Sequence, residues 1–159
     1  MARQNQRRKG LVVVNTGDGK GKTTAALGVL LRAWGRDMRV VMIQFIKTTT
    51  ANFGEQRAAR KMQVEMVSMG KGFTWLSKNI NEDKAVAQQC WEICKQKLQS
   101  KEYDIVILDE ITYVMNYNWI PVSEVLQALR DRPQETHVIL TGRNAPDQLM
   151  DFADLVTEM

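Results

Sequence analysis

The sequence predicts an α/β domain with a mainly parallel sheet flanked by helices. Three observations lead there. Strand-like and helix-like stretches alternate along the chain. The runs 104–109 and 136–141 are almost continuously apolar, as strands covered on both faces are. The first strand also runs straight into a glycine-rich turn that opens a helix.

Taken in order, the apolar, β-branched run Leu11-Val12-Val13-Val14 places a strand over 11–15, followed by a helix over 22–35. Further strands are expected at 39–45 and 63–67. A long helix follows at 81–99, in which Cys90, Trp91, Cys94 and Leu98 share one face while Glu92, Lys95 and Gln99 lie away from it. Strands at 104–109 and 136–141 bracket a helix at 121–130. The chain ends with a helix at 146–152 and a sixth strand at 153–157. The segment 47–80, rich in Thr, Gly, Lys and Met, is the least regular and is expected to carry ligand-specific loops.

The turn after the first strand reads Thr16-Gly17-Asp18-Gly19-Lys20-Gly21-Lys22-Thr23-Thr24. Glycines let the backbone curl so that successive N–H groups face one anion, and the helix that follows adds its N-terminal dipole. Gly17, Asp18, Gly19, Lys20, Gly21, Lys22, Thr23 and Thr24 are therefore the candidate nucleotide-binding residues of a P-loop NTPase-like (RecA-like) fold. Lys22 is expected to reach phosphate oxygens, and the Thr23 hydroxyl to ligate magnesium. The common pattern has a glycine where this chain has Thr16, so the loop is one residue shorter than usual.

At 159 residues the chain has the size of one domain, read as a basic flexible tail over 1–9 and a single P-loop α/β nucleotide-binding domain over 10–159. Formal net charge is +4, with Arg3, Arg7, Arg8 and Lys9 all in the tail. The body carries no basic helix or aromatic-interleaved stripe, so a nucleic-acid partner is not expected. No apolar run is long enough to span a membrane, and no secretory signal precedes Gly10. Cys90 and Cys94 read as small apolar residues of a helix face, and a lone His137 makes a zinc site a poor reading. A reducing, cytoplasmic compartment fits that usage.

A second nucleotide signal is the strand Tyr103-Asp104-Ile105-Val106-Ile107-Leu108, which ends in Asp109-Glu110. Ligands gather outside the carboxyl ends of parallel strands, so both carboxylates should emerge beside the glycine-rich loop. There they can hold magnesium directly or through water. Thr141-Gly142-Arg143 closes another strand at the same edge, where Arg143 can pair with a phosphate or with a surface carboxylate.

Several segments together resemble the ATP:corrinoid adenosyltransferases of bacterial cobalamin synthesis. They are Thr16 through Ala26, Val41-Met42-Ile43-Gln44-Phe45-Ile46-Lys47, Gly72-Phe73-Thr74-Trp75, Leu108 through Tyr113, and the ending from Thr141-Gly142-Arg143 through Ala153-Asp154-Leu155-Val156-Thr157-Glu158. The similarity runs from about residue 10 to the end in the family's order. It implies transfer of the 5′-deoxyadenosyl group of ATP to cobalt(I) of a corrinoid, with triphosphate released and the ATP held in a reversed sense across the short loop. It implies Lys22 and Glu110 as the catalytic groups, and magnesium or manganese held by Thr23 and Glu110 with Asp109 beside them.

The resemblance also assigns Phe73 and Trp75 to the lower face of the corrin ring, where they keep the lower ligand off cobalt and ease its reduction. It further implies an electron donor such as a flavodoxin-type reductant, and a homodimer. Family members continue beyond the Thr157-Glu158 segment with a Lys- and His-containing tail that closes over the site. Two other readings stay open on the residues: a P-loop kinase or ATPase with Glu110 as base, and a corrinoid- or nucleotide-binding carrier or sensor with weak catalysis.

Overall fold

A computed structural model describes residues 9–48, 50, 52–70 and 79–159. Six strands form one sheet: β1 (Val12–Thr16), β2 (Val40–Gln44), β3 (Glu65–Ser68), β4 (Ile105–Asp109), β5 (His137–Thr141) and β6 (Leu155–Glu158). Their order across the sheet is β3-β2-β4-β5-β1-β6, and every neighbouring pair is parallel. Parallel neighbours need crossovers, and six helices serve: α1 (Lys22–Trp34), α2 (Gly54–Met62), α3 (Ile80–Gln99), α4 (Ile111–Asn116), α5 (Val122–Asp131) and α6 (Asp147–Phe152).

The two faces of the sheet have separate cores, as the period-two alternation of strand side chains requires. On one face Ala26, Leu30 and Ala33 of α1 cover Val40, Met42, Ile105, Ile107 and Ile139. On the other, α3, α4, α5 and α6 cover Val12, Val14, Val41, Ile43, Val106, Leu108, Val138 and Leu140. The strands β2 and β4 are buried along their whole length, which is why they read as unbroken apolar runs. Trp91 on α3 belongs to this second core and its indole N–H donates to Glu124 Oε1 of α5 at 2.7 Å, fixing the two helices together. Pro121 and Pro146 stand immediately before α5 and α6, where a missing amide proton costs no helical bond.

All six expected strands are present, and the sheet is wholly parallel rather than mainly so. The expected helices are also present, with ends shifted by a residue or so. Two helices were not anticipated. The helix α2 lies within the segment taken as irregular, and only Gln56 and Ala59 of it are buried, so it lacks an apolar stripe. The helix α4 is six residues long and starts directly after Asp109-Glu110, where the carboxylates drew the eye and too few residues remained to show a period. Of the basic tail, Lys9 is described and its ammonium pairs with Asp154 at 2.9 Å; residues 1–8 lie outside the described residues.

Cys90 and Cys94 are fully buried in the α3 face. Burial pushes the Cys90 thiol up to about 12 and the Cys94 thiol well above its ordinary value. Thiolate is the reactive form. Native protein at pH 8 is therefore expected to resist an alkylating reagent at both positions and to react fully once unfolded in guanidinium. Rapid labelling of the native form, read by intact mass, would show that this helix face is open.

Candidate functional site

The strand β1 runs one residue further than the sequence suggested. Thr16 pairs in register with Glu158 of β6, and its hydroxyl accepts the amide of Ala145 at 3.0 Å. Its side chain is thus held in the sheet, and the loop proper begins at Gly17. Gly17 and Gly21 have φ of 95° and 118°, values that favour glycine, so the curl of the loop depends on them. A Cβ at Gly19 would stand 2.5 Å from the carbonyl carbon of Met159, and the Gly19 amide donates to Met159 O at 2.6 Å. The chain leaving β6 therefore lies against the loop.

Lys22 opens α1 and its side chain is buried. Its ammonium donates to the carbonyl oxygens of Gly17 at 2.8 Å and Gly19 at 2.5 Å, arching back across the loop. That holds a positive charge over a concave run of backbone, beside the unpaired amides of the first helical turn. Asp18, Lys20 and Thr24 are exposed around it.

The second half of the site comes from β4 and β5. Asp109 is fully buried and its Oδ1 accepts two hydroxyls, Thr23 and Thr141, each at 2.8 Å. Its Oδ2 accepts Gln44 Nε2 at 3.2 Å and lies 3.5 Å from Lys47 Nζ. This one carboxylate thus links the helix after the loop to the ends of β2 and β5. Glu110 follows with φ 62° and ψ 26°, a left-handed conformation that costs of order ~1–3 kcal/mol for a side-chain-bearing residue. Its amide donates to Thr141 Oγ1 at 3.0 Å, which stabilises the unusual turn.

Burial, then the negative charge of Asp109, raises the Glu110 carboxyl above its ordinary value, while Lys22, Lys47 and Arg143 pull it back down. Three cations, one from the start of α1 and two from the turns after β2 and β5, therefore act electrostatically on one carboxylate. Arg143 is exposed, and among the described residues its guanidinium has no carboxylate within ion-pair distance. Its backbone is fixed: Thr112 Oγ1 and Asn116 Nδ2 donate to its carbonyl at 2.7 and 3.2 Å. Gly142, at φ 142°, permits that approach, since a Cβ there would stand 2.0 Å from Thr112 Oγ1.

The structure thus brings Gly17 to Thr24, Asp109, Glu110 and Arg143 to the carboxyl edge of one sheet. Phe73 and Trp75 lie outside the described residues. Four further residues join the site: Gln44, Lys47 and Thr141, which lie in segments the sequence reading quoted but gave no role, and Glu55, which it did not name. For Gln44 and Lys47 a signal existed, because polar residues follow or end a fully buried strand at the edge where ligands gather. Glu55 gave none, as its helix was not foreseen. At the opposite edge a cavity of about 570 Å³ is lined by Arg39, Asp104, Arg132 and Thr136 among others. There Arg39 pairs with Asp104 at 3.1 Å, and Arg132 donates to the carbonyls of Thr136, Leu129 and Gly10.

A metal of the magnesium type would find a fitting donor set here. The Thr23 hydroxyl gives its proton to Asp109 and keeps its lone pairs, and the Glu110 carboxylate accepts no hydrogen bond among the described residues. A hard cation that retains several waters suits two protein oxygens better than a full cage.

The family model for ATP:corrinoid adenosyltransferase BtuR/CobO/CobP matches residues 8–159. The corrinoid adenosyltransferase of Escherichia coli K12 is 42% identical over 156 residues, covering 98% of this chain and 79% of that protein. Corrinoid adenosyltransferase CobA of Salmonella typhimurium is likewise 42% identical with the same coverage, and a Sinorhizobium corrinoid adenosyltransferase is 41% identical over 95% of this chain and 72% of its own length. Among solved structures, the flagellar accessory protein FlaH of Methanocaldococcus jannaschii superposes with a TM-score of 0.66 at 9% identity, covering 94% of this chain and 70% of FlaH. That likeness shows the fold alone. The match runs along nearly the whole chain, and this chain belongs to the ATP:corrinoid adenosyltransferase family.

Proposed function

We propose that this protein transfers the 5′-deoxyadenosyl group of ATP to the cobalt of a reduced corrinoid, in adenosylcobalamin synthesis or salvage. The observation that carries the proposal is the glycine-rich loop capped by Lys22 and faced by Glu110 and Arg143, in a chain of this family. Cobalt(I) supplies an electron pair to the ribose 5′-carbon. A cobalt–carbon bond forms, the bond from that carbon to the triphosphate oxygen breaks, and the leaving triphosphate takes the electron pair.

The protein's part is to receive that charge. Backbone amides of the loop from Gly17 to Lys22, the Lys22 ammonium and the Arg143 guanidinium are proposed to stabilise that charge as it develops. Lys22 gives up its bonds to the Gly17 and Gly19 carbonyls for phosphate oxygens. Magnesium or manganese, held by Thr23 and Glu110 with Asp109 behind the Thr23 hydroxyl, neutralises part of the triphosphate charge when bound. No proton has to be removed from a nucleophile, and Glu110 is assigned no role as base.

Phe73 and Trp75 are proposed to cover the lower face of the corrin ring. Excluding an axial donor there makes cobalt(II) easier to reduce. The reaction consumes cobalt(I), so an electron donor of the flavodoxin type is the proposed partner. A cytoplasmic homodimer completes the reading. No helix among the described residues is long and apolar enough to cross a membrane.

Incubation with ATP and chemically reduced cobalamin is expected to yield a cobalt–carbon bond, seen in the visible spectrum, with one triphosphate per turnover. ADP release that is indifferent to corrinoid would instead make the protein an ordinary ATPase. Lys22→Ala should lower turnover by about 10²–10³, the cost of removing one preorganised donor to a developing anion. Glu110→Gln should raise the magnesium concentration needed for half-maximal rate about tenfold or more; an unchanged requirement would remove Glu110 from the metal site. Phe73→Ala and Trp75→Ala should slow reaction from cobalt(II) corrinoid far more than from pre-reduced cobalt(I), whereas equal losses would make the aromatics structural.

A further inference from the structure

Lys47 follows β2 at the same sheet edge as the glycine-rich loop, and its side chain is only 21% exposed. Its ammonium is 2.5 Å from Glu55 Oε1 and 3.5 Å from Asp109 Oδ2. The Phe53 ring lies 5.6 Å away and limits water on that side. Burial alone would lower the Lys47 ammonium, but Asp109 and Glu55 outweigh it and keep the group charged. The side chain also stands near enough to Glu110 to act on its carboxyl together with Lys22 and Arg143.

The contact with Asp109 is not needed to satisfy that carboxylate. Thr23, Thr141 and Gln44 already donate to it, and the Lys47 separation of 3.5 Å is the longest of the four. Glu55, by contrast, is a close partner. It enters from the first turn of α2, where helix geometry favours a carboxylate, and the ammonium holds its carboxyl below the ordinary value despite the upward push of burial. One firm tether and one loose contact leave the ammonium free to re-aim its remaining protons by side-chain rotation. Asp109 separates it from the Thr23 hydroxyl, the group that adjoins the phosphate nest.

We propose that Lys47 is a second triphosphate-binding cation, held in reserve by Glu55 and turned from Asp109 to the polyphosphate when nucleotide enters. The ligand class is a linear polyphosphate, either ATP or the released triphosphate, so Lys47 would add a second ammonium to the one that Lys22 supplies. The assignment rests on reading the loop as the triphosphate site but requires no corrinoid chemistry. Glu55 is then a positioning residue with a cost: it competes with phosphate for the same ammonium.

That competition gives the test its sign. Calorimetric titration of inorganic tripolyphosphate and of ATP, without corrinoid, is run in EDTA and again in magnesium on four forms: wild type, Lys47→Met, Lys47→Arg and Glu55→Gln. Thermal unfolding of each unliganded form is recorded alongside. Lys47→Met is expected to lose about tenfold to a hundredfold in affinity for both ligands in both buffers, as a charge-assisted hydrogen bond does. Lys47→Arg should keep most of the affinity, and Glu55→Gln should bind tripolyphosphate more tightly than wild type.

A purely structural ion pair predicts something else: both Lys47→Met and Glu55→Gln lower the unfolding temperature and shift affinity in the same direction or not at all. That outcome overturns the proposal. So does a Lys47→Met loss that vanishes in about 0.5 M salt, which would mark a long-range field rather than a contact. If Lys47→Met does not fold, the sign of the Glu55→Gln change still decides. Wild-type protein that binds neither ligand would sink the nucleotide reading as well, while normal wild-type binding with unaltered variants sinks only the role of Lys47.

Discussion

The site depends on one buried carboxylate. Asp109 accepts hydrogen bonds from α1, β5 and β2 at once, through Thr23, Thr141 and Gln44. A carboxyl group without exposure to water is tolerated only when its polar atoms are hydrogen-bonded, and here each of the three neighbouring elements contributes a donor. Removing the charge would unpin the start of α1, and with it the orientation of the loop that Lys22 crosses. The glycine-rich loop is local in sequence, but its orientation relative to the rest of the site is not.

The register of the sheet explains why these groups meet. Gln44 pairs with Asp109 across β2 and β4, and Asn15 with Thr141 across β1 and β5, so β2, β4 and β5 finish at one level and β1 one residue beyond it. The chain then departs from each strand end differently. After β1 it curls into a glycine loop, after β4 it turns through a left-handed Glu110, and after β5 it passes Gly142 at φ 142°. Each unusual backbone conformation lies where a charged side chain is presented, and each is supported by a hydroxyl or by the absence of a side chain. Thr141 and Thr112 serve in this way for Glu110 and Arg143.

Most of the architecture was legible because burial on both faces leaves an unambiguous apolar run. The β4 and β5 strands could be placed within a residue on that ground alone. The β1 boundary was harder: Thr16 reads as loop because it is polar, yet its hydroxyl is satisfied by Ala145, 129 positions away, and it ends as strand. The helix α2 escaped notice for a related reason. It leans on the edge strand β3 through Gln56 and Ala59, and Gln56 is buried only because Gln44, Ser68 and the carbonyl of Thr48 bond to it. A polar residue buried by its partners leaves no apolar periodicity to read.

The sequence by itself determined the glycine-rich loop, the order of the six strands with four of the six helices between them, and the family, since each is written in contiguous residues whose local chemistry has few alternatives. Tertiary structure decided which charges face one another. Lys47, Glu55 and Asp109 are spread over the chain, and their ion pairs exist only because parallel register brings the end of β2 beside that of β4 and sets the start of α2 above them. Coulomb energy depends on separation in space and on exclusion of water, and neither quantity is fixed until the sheet has formed.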